Sequence, residues 1–230
     1  MRALVIVVAL TGVAAAGPRH QGWLLGTDTL PDHGVELETR VSERNDLGED
    51  HLRETALWMG AAVGASERLE VAAIVEATRA TANGVAPSFT LARYGGELRY
   101  RAGDHVLVRV GLVRDVRIRD LVRVDADVVA ALGAGRLELV GQIGGLGEVN
   151  LGGTHAELRG GIGATAAAGD ELRLGGELYG ELSLDSAGER WLALGPTLAW
   201  THGRFWLVAT VGIGVANIAT APRVAWGVAF

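Results

Sequence analysis

A two-residue hydrophobic period, returning about a dozen times along the chain, constrains this sequence more than any other feature. Over residues 34–44, Val35, Leu37, Thr39 and Val41 face one way in an extended chain and Glu36, Glu38, Arg40 and Ser42 the other. A helix would bring Glu36 and Arg40 together but scatter the apolar set. Leu69, Val71, Ala73, Val75 and Ala77 alternate with Arg68, Glu70 and Glu76, and Tyr94, Leu98 and Tyr100 with Arg93, Glu97, Arg99 and Arg101. Val122, Val124, Ala126 and Val128 alternate with Arg123, Asp125 and Asp127, and Leu137, Leu139 and Ile143 with Arg136, Glu138 and Gln142. Leu158, Ile162 and Ala164 stand against His155, Glu157 and Arg159. The clearest run sets Leu172, Leu174, Leu178, Leu182 and Leu184 against Glu171, Arg173, Glu177 and Glu181.

Between these runs lie small or glycine-rich clusters at 65–67, 102–104, 133–135, 168–170 and 202–203, suited to tight hairpins. The other connections, at 45–51, 81–88, 148–154, 185–190 and 216–222, are mostly longer and more polar. The spacing predicts strands over 34–44, 53–65, 68–80, 89–102, 105–117, 120–132, 136–148, 154–167, 170–184, 190–201, 204–216 and 222–230. An all-β chain of about twelve strands with short and long connections in alternation reads as a single closed antiparallel up-and-down barrel. The uncharged stretch 205–222 is long enough for a membrane helix, but its Thr210, Asn217, glycines and β-branched residues suit a hairpin better.

Alternation alone does not say which face meets water. About eight strands already leave an interior just wide enough for side chains to fill, so a twelve-stranded barrel with a dry apolar centre would contain voids. Leucine, valine and alanine turned toward lipid, with the charges around a wet lumen, remove the difficulty. Arg114 would then face lipid in phase with Val106, Val108 and Val110, which calls for a bulge or for snorkelling. The N-terminus supports export: one arginine, an apolar stretch over 3–16 and small residues at 14–16 predict a cleaved signal peptide over 1–16. Residues 17–33 read as a periplasmic linker, and 34–230 as the transmembrane barrel with both termini periplasmic.

The last strand carries a motif. Val224, Trp226, Val228 and Phe230 alternate with Ala225, Gly227 and Ala229, and the chain as given ends on the aromatic. In this it resembles the bacterial outer-membrane β-barrel family of channels and porins, whose closing strand and terminal aromatic are read by the barrel-assembly machinery. Residues 34–38, following 27–31, also resemble the first strand of channels related to aromatic-hydrocarbon uptake. The resemblance implies outer-membrane lipid, the assembly machinery and a small-molecule solute as partners. Phe89 and Trp191 are expected in an aromatic girdle at external strand ends, and Tyr100, Trp200, Phe205 and Phe230 at periplasmic ones.

Composition closes several alternatives. A formal net charge of -6 disfavours nucleic acid as a partner. The absence of lysine removes Schiff-base and phosphate-loop lysine chemistry, and the absence of cysteine removes disulfides, thiolates and lipoprotein acylation. Glycines fall at turns and alternate strand positions rather than in a dinucleotide or phosphate fingerprint. His20, His33, His51, His105, His155 and His202 are scattered, without metal-ligand spacing. A calcium loop at Asp46, Glu49, Asp50 and His51 matches no known calcium pattern, and Ser183 with His155 would form a hydrolase pair only if the fold brought them together. No cofactor, metal or catalytic residue is expected.

The lumen remains. The lining charges expected are Glu36, Glu38, Arg40, Glu70, Glu76, Arg93, Glu97, Arg99, Arg101, Arg109, Arg123, Asp125, Asp127, Glu138, Glu157, Arg159, Arg173, Glu177 and Glu181. Basic residues gather on the fourth and fifth strands and acidic ones on the first, third and ninth, which would set either a transverse field across a pore or a mutually neutralised interior. Three functions follow: a passive channel for small solutes, a non-conducting structural or adhesive barrel, and, with least support, an outer-membrane hydrolase. The short connections favour the channel.

Overall fold

A computed structural model describes residues 19–47, 51–81, 89–118, 120–150, 153–185 and 190–230. The signal-peptide reading of residues 1–16 lies outside them. Twelve strands occupy the segments that the alternation marks: β1 (Val35–Leu47), β2 (Leu52–Ser66), β3 (Leu69–Thr81), β4 (Thr90–Gly103), β5 (Val106–Asp115), β6 (Val122–Ala134), β7 (Leu137–Asn150), β8 (Gly153–Ala167), β9 (Leu172–Ser183), β10 (Arg190–His202), β11 (Phe205–Ala216) and β12 (Thr220–Ala229). Each pairs antiparallel with its chain neighbours, and β12 returns to β1 to close the barrel. Closure matters because an open edge in hydrocarbon would leave backbone N–H and C=O groups without partners. At the seam Glu36 stands opposite Ala229 and Arg40 opposite Ala225, and the Phe230 N–H donates to the Val35 carbonyl at 2.8 Å.

Strand boundaries lie within a few residues of those expected, and residues 205–222 form the hairpin of β11 and β12. The connections are less unequal than the sequence suggests. Pairing of β7 with β8 runs up to Asn150 and Gly153, β11 extends to Ala216 and β12 begins at Thr220, so two of the expected longer loops are shortened by the strands that flank them. The start of β1 and the end of β12 lie on the side of the turns joining β2 to β3, β4 to β5 and β10 to β11. In the last of these, His202 pairs with Phe205 and Gly203 takes φ 57° at the first of the two intervening positions, a conformation that suits glycine in such hairpins.

Phase then sorts the side chains. Leu37, Val71, Leu98, Val110, Leu112, Ile143, Ile162, Leu174, Leu194 and Ile213 all stand exposed on the outer surface. An apolar belt of this extent is far larger than soluble monomers expose, whereas hydrocarbon accommodates it without cost. Strands of 10 to 15 residues meet the roughly 9–11 that a tilted strand needs to cross a bilayer. Arg114 does face outward, without the bulge considered for it: pairing with Tyr94 and Val122 is regular. It sits next to the end of β5, with Asp120 at 3.9 Å, where its guanidinium can reach the interface.

The inner face is not purely ionic. Leu107, Val129, Ala131, Val140 and Val113 also point inward and are buried. Positions apolar on both faces of a strand require cover on both faces, and the inner cover is supplied by the chain itself.

Candidate functional site: a lumen occupied in part by the N-terminal segment

Of residues 17–33, expected as a linker outside the barrel, 19–30 instead run through its interior, and Asp32 and His33 are exposed. Leu24 and Leu25 join a buried cluster with Leu107, Val129, Ala131, Val140, Tyr179 and Trp191, and Leu30 joins Ala62, Ala72, Ile74 and Val113. Trp23 stacks on Tyr179 at a centroid distance of 5.2 Å, meets Trp191 edge-on at 5.4 Å, and donates its indole N–H to the Ala221 carbonyl at 3.0 Å. The sequence held a signal for this: a Trp-Leu-Leu triplet is unusual in a solvated linker, and Val128-Val129-Ala130-Ala131 is apolar on both faces.

A buried segment without secondary structure has backbone groups to satisfy, and the wall strands satisfy them. Glu177 Oε1 accepts the N–H of Gly22 at 2.9 Å, and its Oε2 accepts those of Trp23 at 2.9 Å and Leu24 at 3.2 Å. Thr197 and Thr210 also donate hydroxyls to this carboxylate. Gln142 accepts the Leu25 N–H at 2.9 Å and Glu70 the Leu30 N–H at 3.1 Å. Gly22 permits the approach: a Cβ there would lie 3.0 Å from Thr210 Cβ and 3.1 Å from Glu177 Oε1. Arg19 approaches Glu36 at 3.5 Å and Glu38 at 3.7 Å, and His20 pairs with Glu138.

Around this segment the wall charges are paired. Arg99, 1% exposed, reaches Glu70 at 2.8 Å, Glu38 at 3.3 Å and Glu97. Arg109 bridges Glu97 at 2.7 Å, Asp127 at 2.8 Å and Asp125, and Arg159 meets Asp125 at 2.6 Å and Asp127 at 2.7 Å. The segregation by strand seen in the sequence therefore resolves into ion pairs, some between adjacent strands and others, such as Arg99 with Glu38 and Arg159 with Asp127, between strands further apart, rather than two charged walls facing across open water.

Beyond the segment, toward the connection between β5 and β6, lies a cavity of about 430 Å³. Arg40, Arg93, Arg109, Arg123, Arg159 and Arg223 line it together with carboxylates, and Trp23, Trp58 and Tyr179 form its aromatic wall. Arg44 bridges Glu54 and Glu181, each at 3.0 Å, and Arg93 holds Glu76 at 3.0 Å.

Of the lining charges expected from sequence, Glu36, Glu38, Arg40, Glu70, Glu97, Arg99, Arg109, Asp125, Asp127 and Glu177 are buried in the interior. Glu76, Arg93, Arg123, Glu157, Arg159 and Glu181 line the cavity. Glu138 and Arg173 pair at 3.6 Å near His20, while Arg101 lies at the barrel end, donating to the Glu67 carbonyl at 2.8 Å. Sequence reasoning missed Arg44, Arg117 and Arg223, Trp23, Trp58 and Tyr179 of the cavity wall, and the whole of 19–30.

One aromatic assignment is corrected. Phe89, Tyr100, Trp200 and Phe230 are exposed on the outside, and Phe205 lies 5.6 Å from Trp200, but Trp191 is 4% exposed and points inward. The reason is parity: Leu192, Leu194, Leu198 and Trp200 set the outer face of β10, whose pairing with β9 is regular throughout, so an odd position on that strand faces the lumen. Val224, Trp226 and Val228 take the outer phase of β12.

The hydrolase pair is not assembled. His155 Nδ1 meets Asp185 and Nε2 meets Glu157 at 2.7 Å, so both ring nitrogens already face carboxylates, while Ser183 accepts the Asp185 N–H at 3.3 Å. Asp46 and His51 pair with each other, and Glu49 and Asp50 lie outside the described residues. Among the described residues, no three acidic or histidine side chains converge as a metal site.

No protein-family profile and no curated protein matches this sequence. Solved structures do match. An outer-membrane channel from Pseudomonas putida F1 is similar at a TM-score of 0.67 with 11% identity, over 89% of this chain and 98% of that one. The translocator domain of the autotransporter NalP from Neisseria meningitidis is similar at 0.63 with 14% identity, over 86% and 88% of the two chains. The NanC porin is similar at 0.54 with 11% identity, over 84% and 98%. At such identities what is shared is the architecture, and this chain has the fold of outer-membrane channel and porin barrels.

Proposed function

We propose that this chain is an outer-membrane barrel that passes small polar solutes passively, with residues 19–30 narrowing the path. The observation that carries this reading is the charged cavity of about 430 Å³ inside a twelve-stranded wall, continuing onto a segment that has no strand partner of its own. Supporting it are the apolar outer belt and the likeness in fold to the Pseudomonas putida outer-membrane channel and the NanC porin. In this reading residues 1–16 direct export and are removed, and the short turns and both termini face the periplasm. Val224, Trp226, Val228 and Phe230 present the assembly signal on the outer face of β12. Planar-bilayer recording of the folded barrel, and of a variant lacking residues 19–30, tests the transport claim. Discrete current steps that grow several-fold on deletion are expected for a widened lumen. Silence in both proteins overturns the channel.

A second reading has its own support. Glu36, Glu70, Glu97 and Arg99 are each 2% exposed or less, so one end of the lumen is filled with paired charges and the N-terminal segment. This favours a non-conducting structural barrel, for which the deletion variant alone would carry current.

A further inference from the structure

The cavity wall is nearly balanced in charge, with eight guanidiniums against seven carboxylates, so bulk electrostatics does not choose its ligand. Hydrogen-bond capacity does. Among cavity-lining residues, the buried polar atoms that lack a hydrogen-bond partner are Arg40 Nη2, Arg93 Nε and Arg223 Nε, all of them donors. The cavity carboxylates Asp125 and Asp127, by contrast, already accept from Arg109 and Arg159, and Asp127 from Gln142 as well.

Arg40 and Arg223 lie on the seam strands, with Ser42 opposite Arg223, so they are diagonal neighbours on the inner face. Each is braced by an indole: the Arg40 guanidinium lies 3.9 Å over Trp58 and that of Arg223 lies 4.9 Å from the Trp23 ring centre. Arg40 is otherwise tied to Glu38 at 2.5 Å, while Arg223 makes no ion pair among the described residues. Two adjacent cations with unmet donors, one of them without a carboxylate, form an incomplete site that a planar oxyanion completes with forked hydrogen bonds. Next to them, Trp58, Ile74 and Val113 give the cavity an apolar side.

We propose that this cavity binds a small organic carboxylate, its acid group between Arg40 and Arg223 and its apolar body against Trp58, Ile74 and Val113. A free inorganic oxyanion satisfies the arginines but leaves the apolar side wet, which sets the order of affinity. The assignment deepens the channel reading by naming its solute class, yet binding is measurable without transport.

Isothermal titration of the folded, detergent-solubilised barrel with benzoate, benzamide and inorganic phosphate tests it. Benzoate is expected to bind at least about tenfold more tightly than benzamide, the neutral isostere, and more tightly than phosphate. Arg223→Gln should weaken benzoate about tenfold, with Arg223→Lys intermediate and Arg101→Gln at the barrel end without effect. Retention of the β spectrum by circular dichroism identifies the variants that have folded. Equal binding of benzoate and benzamide, equal binding of phosphate, or indifference of benzoate to both Arg223 variants overturns the proposal. Conductance without benzoate binding removes this site and leaves the channel standing, and benzoate binding without conductance does the reverse.

Discussion

The carboxylate of Glu177, on the wall strand β9, accepts the backbone N–H of Trp23 at 2.9 Å, and so binds the segment that precedes the barrel to the barrel's own interior. With Gly22 and Leu24 on the same two oxygens, one side chain satisfies three consecutive amides. Glu177→Ala leaves these buried donors unmet, at about 1–3 kcal/mol for each. Amide exchange at residues 22–24 should accelerate at least about tenfold while exchange in β9 and β10 is unchanged. Equal protection in the variant would show that Leu24, Leu25 and Leu30 hold the segment by packing alone.

Arg99 concentrates the opposite charge. Removing it by Arg99→Ala takes from Glu70 its arginine partner among the described residues, and leaves Glu38 to Arg40 and Arg19 and Glu97 to Arg109. The expected loss is about 3–5 kcal/mol of unfolding free energy, because the carboxylates left behind keep their desolvation cost. Denaturant titration of the refolded barrel in micelles reads it, and Arg99→Met paired with Glu70→Leu should recover part of the loss.

Strand phase assigns the tryptophans to two environments. Trp200 and Trp226 share the outer phase with Leu198 and Val224, whereas Trp191 and Trp206 are 4% and 1% exposed and lie within. In single-tryptophan variants reconstituted with brominated lipid, Trp200 and Trp226 should be quenched strongly and Trp191 and Trp206 weakly. Strong quenching of Trp191 would contradict the phase of β10.

Outside the spanning strands, the turn before β9 carries a pH-sensitive contact. His202 hydrogen-bonds Glu171 at 2.6 Å and Trp200 donates to it at 3.2 Å, and these bonds, that of His202 foremost, hold the Glu171 carboxyl below its ordinary value of 4.5. A depressed carboxyl favours the folded turn above the ordinary carboxylate range, and the contribution fades as pH falls through the lowered value. Carbon-detected titration should place Glu171 below 4.5 in the parent and closer to 4.5 in His202→Ala.

Strand number, order and phase were legible because they depend only on local chemistry. A strand exposes one face to each solvent, so Leu172, Leu174 and Leu178 against Arg173 and Glu177 declare both strand and sidedness within a few residues. Trp191 was misplaced although its parity was available, since its position at a strand end suggested a girdle. What covers the inner face was not local. Glu177 reads as a lumen charge whether it meets water, an arginine or three backbone amides, and only the closed wall brings residues 22–24 to it. The pairing of Arg99 with Glu38, from strands three apart in chain order, likewise depends on barrel curvature and inward reach. Periodicity thus determined the wall of this protein. Tertiary structure decided its contents, because which buried donors find acceptors, and which arginines of the cavity do not, is a property of side chains that converge from all around the barrel.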